Sequence, residues 1–211
     1  MSVEILTFVT GPFETNTYLL CSAGECWVID PGMEPHGLLG FLARRQVSPD
    51  RVVLTHGHCD HVAGIGDLRA SAGLVPVWCP AGDAEMLADP ALNLSSLFGL
   101  PTALPPPEEV FRPGDTLKLG DSAWDVLDTS GHTPGGVSLY CAAEGAVFSG
   151  DALFAGSIGR TDFPGADGAR LVENIRENLL SLPPETKVYP GHGPATTIGE
   201  EGRLNPFVRT A

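Results

Sequence analysis

Apolar residues in this chain fall into short runs punctuated by glycine, proline and polar turns. Val3 to Val9, Thr17 to Cys21 and Cys26 to Asp30 are rich in β-branched and aromatic side chains and read as antiparallel strands, joined through Gly11-Pro12 and Ala23-Gly24. Leu38, Leu39 and Leu42 then recur at helical spacing and predict a helix over Pro35 to Gln46, handing over to a buried strand at Val52 to Leu54. His61 to Ala72 reads as a second helix with Ile65 and Leu68 inward, followed by a strand at Val75 to Trp78 and a short helix at Gly82 to Ala88. Between Pro90 and Pro107 proline recurs and no period survives, which predicts a long surface excursion, serving as a lid, an oligomer contact or a solvated insertion. Strands return at Thr116 to Leu119, Ala123 to Leu127, Val137 to Cys141 and Ala146 to Phe148. Asp167 then caps a helix whose apolar face is Leu171, Ile175, Leu179 and Leu182, and Pro183-Pro184 ends it before the strand Lys187 to Tyr189. Two successive blocks of strands and helices predict an α/β fold in which two sheets pack face to face with helices outside.

Composition narrows the class. The 211 residues, 43% apolar and 18% charged, suit one globular domain spanning 1–211. A net charge of −14 leaves no basic patch for nucleic acid or anionic lipid. The five cysteines are scattered and form no C-x-x-C pair, so neither a disulfide framework nor a thiolate zinc site is expected, which fits a reducing, cytoplasmic setting. The start, Met1-Ser2-Val3-Glu4-Ile5, has no basic-then-apolar leader pattern, and no apolar run reaches the roughly 18 residues that a membrane span needs.

The candidate chemistry is concentrated in Thr55-His56-Gly57-His58-Cys59-Asp60-His61, directly after the apolar run Val52 to Leu54. Alternation along an extended backbone lets His56 and His58 point the same way, with Asp60 and His61 beyond a bend. His132 in Ser130-Gly131-His132, Asp151 in Ser149-Gly150-Asp151 and His192 in Gly191-His192-Gly193 also follow glycine at the ends of strand-like runs. One histidine in such a place carries no assignment. Five of six in the same setting, joined by two aspartates, point to a metal site built from imidazole and carboxylate. His36 lies outside the pattern and reads as a surface residue. Seven donors exceed the four positions of a tetrahedral zinc, so two ions are implied. Such a pair lowers the pKa of water to about 7 and clamps a developing oxyanion, which makes hydrolysis the expected reaction.

Thr55 to His61, with His132, Asp151 and His192 following in order, resembles the signature of the metallo-β-lactamase fold superfamily. Val28-Ile29-Asp30-Pro31-Gly32 matches its upstream aspartate segment, and Asn205-Pro206-Phe207 a tail segment of some members. The resemblance implies a four-layer αββα sandwich of two mixed sheets. It also implies one metal held by His56, His58 and His132, a second by Asp60, His61 and His192, Asp151 bridging both, and Asp30 as the carboxylate that orients the motif loop. Zinc is the first expectation, with iron and manganese also suited to this donor set. Gly156-Ser157-Ile158-Gly159-Arg160-Thr161-Asp162-Phe163 and Gly191-His192-Gly193-Pro194 resemble short type II glyoxalase-like hydrolases, which implies a small-molecule thioester substrate such as a hydroxyacylglutathione. Asp60 and Asp151 are then the catalytic carboxylates, and Arg160 and Arg203 the candidate anchors for a substrate carboxylate. Larger glyoxalase II enzymes grip glutathione with a C-terminal helical domain, and residues 1–211 are not expected to supply its counterpart. The same Gly159 to Phe163 segment resembles persulfide dioxygenases, which would hold one iron through His56, His132 and Asp151. A lactonase, a β-lactamase-type hydrolase and a non-catalytic metal-binding module are the remaining alternatives.

Overall fold

In the computed structural model, which describes residues 2–209, the early apolar runs form β1 (Glu4–Thr10), β2 (Thr15–Ser22) and β3 (Glu25–Ile29), paired antiparallel. After α1 (His36–Arg45), β4 (Arg51–Val53) joins β3 in parallel. α2 (Cys59–Val62) and α3 (Ile65–Ala72) lead to β5 (Val77–Pro80), and β6 (Glu109–Phe111) closes a six-stranded sheet ordered β1-β2-β3-β4-β5-β6. The second sheet starts with an antiparallel meander of β7 (Thr116–Leu119), β8 (Ser122–Asp128), β9 (Val137–Cys141) and β10 (Ala146–Gly150). A hairpin of β11 (Leu153–Phe154) and β12 (Ser157–Ile158), then α4 (Gly168–Asn174), precede β13 (Lys187–Pro190), which pairs parallel to β10. β14 (Thr196–Thr197) and α5 (Ile198–Leu204) finish the fold.

Because successive strand residues face opposite ways, adjacent apolar residues serve different layers. Leu20, Trp27, Ile29 and Val53 of the first sheet meet Leu119, Trp124, Leu139 and Phe148 of the second in a central core. Their neighbours Leu19, Val28 and Val52 pack outward against Leu38 and Leu42 of α1 and Ile65 and Leu68 of α3. Val147 and Val188 pack outward against Leu171 of α4, Ile175, Leu179 and Ile198 of α5. Helix, sheet, sheet and helix therefore stack as four layers, the sandwich expected from the sequence.

Several local expectations change. The helix expected over His61 to Ala72 breaks in two at Ala63-Gly64, where the Gly64 N–H donates to the Pro31 carbonyl (3.0 Å) and turns the chain between α2 and α3. Asp167 caps α4 by accepting from the Arg170 amide, and beyond Asn174 the helix widens into a π turn over Ile175–Leu179. Within the proline-rich excursion, a 3-10 turn forms over Ser95–Phe98. Cys21 and Cys26 form a disulfide, which corrects the expectation that no cysteines pair. The antiparallel register sets these two residues directly opposite each other beside the Ala23-Gly24 turn, a relation that linear spacing conceals. Cys59, Cys79 and Cys141 are free and buried. No helix among the described residues is long and apolar enough to cross a membrane.

Candidate metal centre

The sheet topology brings the chemistry together. β3 and β4 run parallel in one sheet, β10 and β13 parallel in the other, and β8 runs the same way as β10 because β9 is antiparallel to both. The segments leaving their C-terminal ends carry Asp30, His56 to His61, His132, Asp151 and His192, so one edge of the sandwich collects all of them. The start of β2 ties the two sheets together at this edge. The Asn16 N–H donates to the Gly191 carbonyl (2.7 Å), and the Asn16 side-chain amide donates to Pro190 (3.0 Å) and Gly193 (2.8 Å).

Four of the imidazoles are fixed from behind. His132 Nδ1 faces the Arg160 carbonyl at 2.7 Å and His192 Nδ1 the Phe13 carbonyl at 3.0 Å. Carbonyl oxygens only accept, so both Nδ1 atoms carry the proton and both Nε2 atoms present lone pairs to the interior. His61 Nδ1 donates to Asp30 Oδ2 (3.1 Å). The Thr55 hydroxyl donates to Asp30 Oδ2 (2.6 Å) and so accepts from His56 Nδ1 (3.1 Å). His58 is reversed: its Nδ1 points inward, 2.9 Å from His132 Nε2. Inward-facing lone pairs this close fit a cation between them.

The inward atoms fall into two groups, His56 with His58 and His132, and Asp60 with His61 and His192, each with its donor atoms within 4.8 Å of one another. Asp151 lies against both, with Oδ2 3.5 Å from His132 Nε2 and from His192 Nε2 and Oδ1 3.3 Å from His61 Nε2. Donor atoms of Asp30, His56 and His61 also lie within 4.8 Å of one another. However, both Asp30 oxygens are engaged, Oδ1 by the Thr55 N–H (2.8 Å) and Oδ2 by the Thr55 hydroxyl and the His61 ring, so Asp30 sits behind the rings. Two buried atoms are left without a hydrogen-bond partner here, His56 Nε2 and Asp151 Oδ1. An unmet buried polar atom costs about 1–3 kcal/mol, and metal ions held by the two groups would satisfy both. Gly191 completes the fit, since a Cβ there would fall onto Asp151 Oδ1 and come within 2.7 Å of the His61 ring.

The electrostatics of the two groups differ. Burial, then the neighbouring His132, pushes His58 down to about 3, and burial followed by His61 pushes His56 well below the usual imidazole value. These rings are neutral and ready to donate. Burial also opposes charge on His61 and His192. For His61 the carboxylates of Asp151 and Asp60 outweigh it, and for His192 the hydrogen bond to Asp60 and the charge of Asp151 do so, raising both rings. Burial raises Asp60 and Asp151 in turn, but the His61 charge overrides it and holds both below the ordinary carboxylate value.

Two residues outside the expected set shape the centre. Asp83, fully buried, accepts from the Gly57 N–H (3.0 Å) and the Thr133 hydroxyl (2.6 Å) on one oxygen and from the Gly135 N–H (2.6 Å) on the other. It thereby ties the loop bearing His56 and His58 to the loop bearing His132. Asn93 accepts the Cys59 N–H through its carbonyl (2.9 Å) and anchors α2 to the excursion. A polar residue inside an apolar helical stretch was the available signal for Asp83, but nothing linear connects it to Gly57 or Gly135. Arg160 lines the cleft above the cluster, its guanidinium held by Asp162 at 2.9 and 2.8 Å. Arg203 does not reach the cleft: α5 buries Ile198 and Glu201, which puts Arg203 on its solvent side. His36 is exposed at the start of α1, as expected.

Comparison with known proteins matches residues 10–192 to the family described as the metallo-beta-lactamase superfamily. The probable metallo-hydrolase YqgX of Bacillus subtilis is 36% identical over 199 residues, covering 94% of each chain. The hydroxyacylglutathione hydrolase GloC of Haemophilus influenzae is 35% identical over 213 residues, covering 100% of this chain and 99% of its own. Among solved structures, the BLEG-1 B3 metallo-beta-lactamase superposes with a TM-score of 0.92 at 39% identity, covering 98% of this chain and 100% of that one. TTHA1623 in a di-iron-bound form superposes with a TM-score of 0.85 at 39% identity, covering 96% and 99%.

Proposed function

The chain belongs to the metallo-β-lactamase superfamily, and from that premise we propose that it is a dinuclear metal-dependent hydrolase acting on a small-molecule thioester. The observation that carries this reading is the set of seven inward donors, split into two groups with Asp151 against both, while the outer nitrogens of four rings are tied down. His56, His58 and His132 would hold one ion, Asp60, His61 and His192 the other, and Asp151 would bridge them. The di-iron form of TTHA1623 supports two ions, and the donor set suits zinc, iron or manganese. When bound, such a pair supplies a water activated near neutral pH and positive charge for the oxyanion that develops on the attacked carbonyl.

The protein's own part is orientation. Asp30 fixes His61 directly and His56 through Thr55, so the rings enter with the correct nitrogen forward. Asp60 Oδ2 stands 3.1 Å from His192 Nε2, among the donors of the second group. Apart from the cluster itself, the polar residues lining the cleft among those described are Ser157 and Arg160, neither of which is an acid able to protonate a poor leaving group. A thiolate, whose conjugate acid has a pKa near 8.5, leaves without one. The name of the GloC relative points to the same bond. Purified protein loaded with metal should release thiol from a model thioester and lose that activity on chelation. A second reading, cleavage of a β-lactam amide, draws on the similarity to BLEG-1; β-lactam turnover exceeding thioester turnover would favour it.

A further inference from the structure

The walls around the centre say more about the substrate than the centre does. The cleft holds about 440 Å³, within the range of small-ligand sites. Its sides are Phe13, Leu94, Phe98, Phe154, Ile158 and Phe163. These side chains come from four separate segments. Phe13 precedes β2, Leu94 and Phe98 belong to the proline-rich excursion, Phe154 and Ile158 to the β11–β12 hairpin, and Phe163 follows Arg160. Each segment is held in place. Phe13 and Phe98 meet edge to face at 4.8 Å, Phe163 packs 5.7 Å from the His58 ring, and Phe154 packs 6.1 Å from the His192 ring. The excursion is anchored by Asn93, whose side-chain amide donates to the Thr102 carbonyl (2.8 Å), and the hairpin by Asn205 and Glu201, which bond to Ser157 and Gly156. Phe98 nevertheless remains 43% exposed. Together with its neighbours it lines an apolar wall beside a few convergent polar groups, the character of a small-ligand site.

Charge points the same way. Among the described residues lining the cleft, Arg160 is the single permanently cationic side chain. Asp162 already accepts from two of its three guanidinium nitrogens, Nε and Nη2, and it stacks 4.3 Å from the Phe163 ring. A substrate carboxylate approaching it meets the Asp162 charge as well. No other permanently cationic side chain among the described residues lines the cleft, so a ligand carboxylate lying away from the metal centre meets only this already paired guanidinium.

We propose that the cleft selects an uncharged thioester carrying an apolar acyl group, with Phe13 and Phe98 as residues that determine specificity. This rests on the hydrolase reading above and narrows it away from anionic peptide thiols such as glutathione. Each methylene that moves from water to these walls raises kcat/KM about fourfold, so a hexanoyl group exceeds an acetyl group on the order of 100-fold.

The test measures kcat/KM of the metal-loaded full chain on acetyl, butyryl and hexanoyl thioesters of one small neutral thiol, and on the same three acyl groups attached to glutathione. Calorimetry with the non-cleavable thioether analogues gives a readout independent of turnover. The expected result is a rise along the acyl series, slower turnover for every glutathione ester than for its neutral partner, and tighter thioether binding with a negative heat-capacity change. Phe98→Ala and Phe13→Ala should each lower the hexanoyl-to-acetyl ratio at least fivefold. A flat or falling acyl series, or preference for the glutathione esters, overturns this proposal while leaving the hydrolase reading standing. Failure to cleave any thioester overturns the hydrolase reading and this one with it.

Discussion

Replacing Asp83 by Asn tests whether the loops of the first triad are positioned by a buried carboxylate. Both Asp83 oxygens accept backbone N–H groups, Gly57 on one and Gly135 on the other, and amides cannot reverse their role. Asn offers one acceptor and one NH2 group, so one of these amides loses its bond and faces a donor instead. A bond to a charged acceptor contributes about 1.5–3 kcal/mol, and a stranded buried N–H costs about 1–3 kcal/mol. The loops cannot move apart cheaply, because Gly82 and Gly135 pack so closely that a Cβ on either would lie 2.6 Å from the other's backbone. We expect the metal-free protein to lose about 2–3 kcal/mol of stability. Part of that cost passes to His56, His58 and His132, so the affinity of their ion should fall about 10- to 100-fold, as for outer partners of metal ligands generally. The ion at Asp60, His61 and His192 should be affected far less, because Asp83 touches neither that helix nor the Gly191 loop. Competition against a chromophoric chelator resolves two affinities, and chemical denaturation gives the stability. Thr133→Val, which removes one donor and leaves both amides bonded, should show a smaller effect in each assay. Equal weakening of both ions, or of neither, would refute the assignment of Asp83 to the first triad.

The two triads should also separate by pH. His61 and His192 are raised, so as pH falls they take up protons before an ordinary imidazole does, while His56 is lowered and His58 stands near 3. Acidification from about pH 8 to pH 5, the range of histidine titration, should therefore release the second ion before the first, as read by metal content after equilibrium dialysis. Asp151→Asn should weaken both ions together, because its oxygens stand against both triads; tight retention of two ions with near-normal turnover would contradict the bridging role. Phe148→Ala, which removes a fully buried ring packed against Tyr18, Trp124 and Tyr189, should cost about 3–5 kcal/mol by denaturation and loosen the strand that leads to Asp151.

The sandwich was legible because its layers are written in adjacent pairs such as Trp27 and Val28 or Val147 and Phe148, each member apolar and each serving a different face. The candidate donors stood out because glycine near a strand end marks His56, His58, His132, Asp151 and His192, while Asp60 and His61 follow them in the same short motif. What escaped depends on contacts between distant segments. The Cys21–Cys26 bond needs the β2–β3 register, and Asp83 needs Gly57, 26 residues before it, and Gly135, 52 residues after it, to converge on one carboxylate. β6, β14 and the β11–β12 hairpin are only two or three residues each, too short for a period of two to register, and they exist because neighbouring strands complete them. α5 was missed because Gly199 and Gly202 interrupt its pattern, although Thr197 caps it through the Glu200 amide. The excursion from Pro90 was expected as a lid, an oligomer contact or a solvated insertion, and its role as a cleft wall rests on Leu94 and Phe98, whose direction no local pattern reveals.

The central claim, a dinuclear hydrolase, is tested most directly by metal content and turnover measured on the same preparation. Protein purified without added metal is analysed by mass spectrometry, then assayed for thiol release from a thioester under argon and in air. The account predicts two ions per chain, bound in parallel with activity, and equal rates with and without oxygen, since hydrolysis consumes only water. One iron per chain, with oxygen uptake on a persulfide and negligible thioester cleavage, would contradict it.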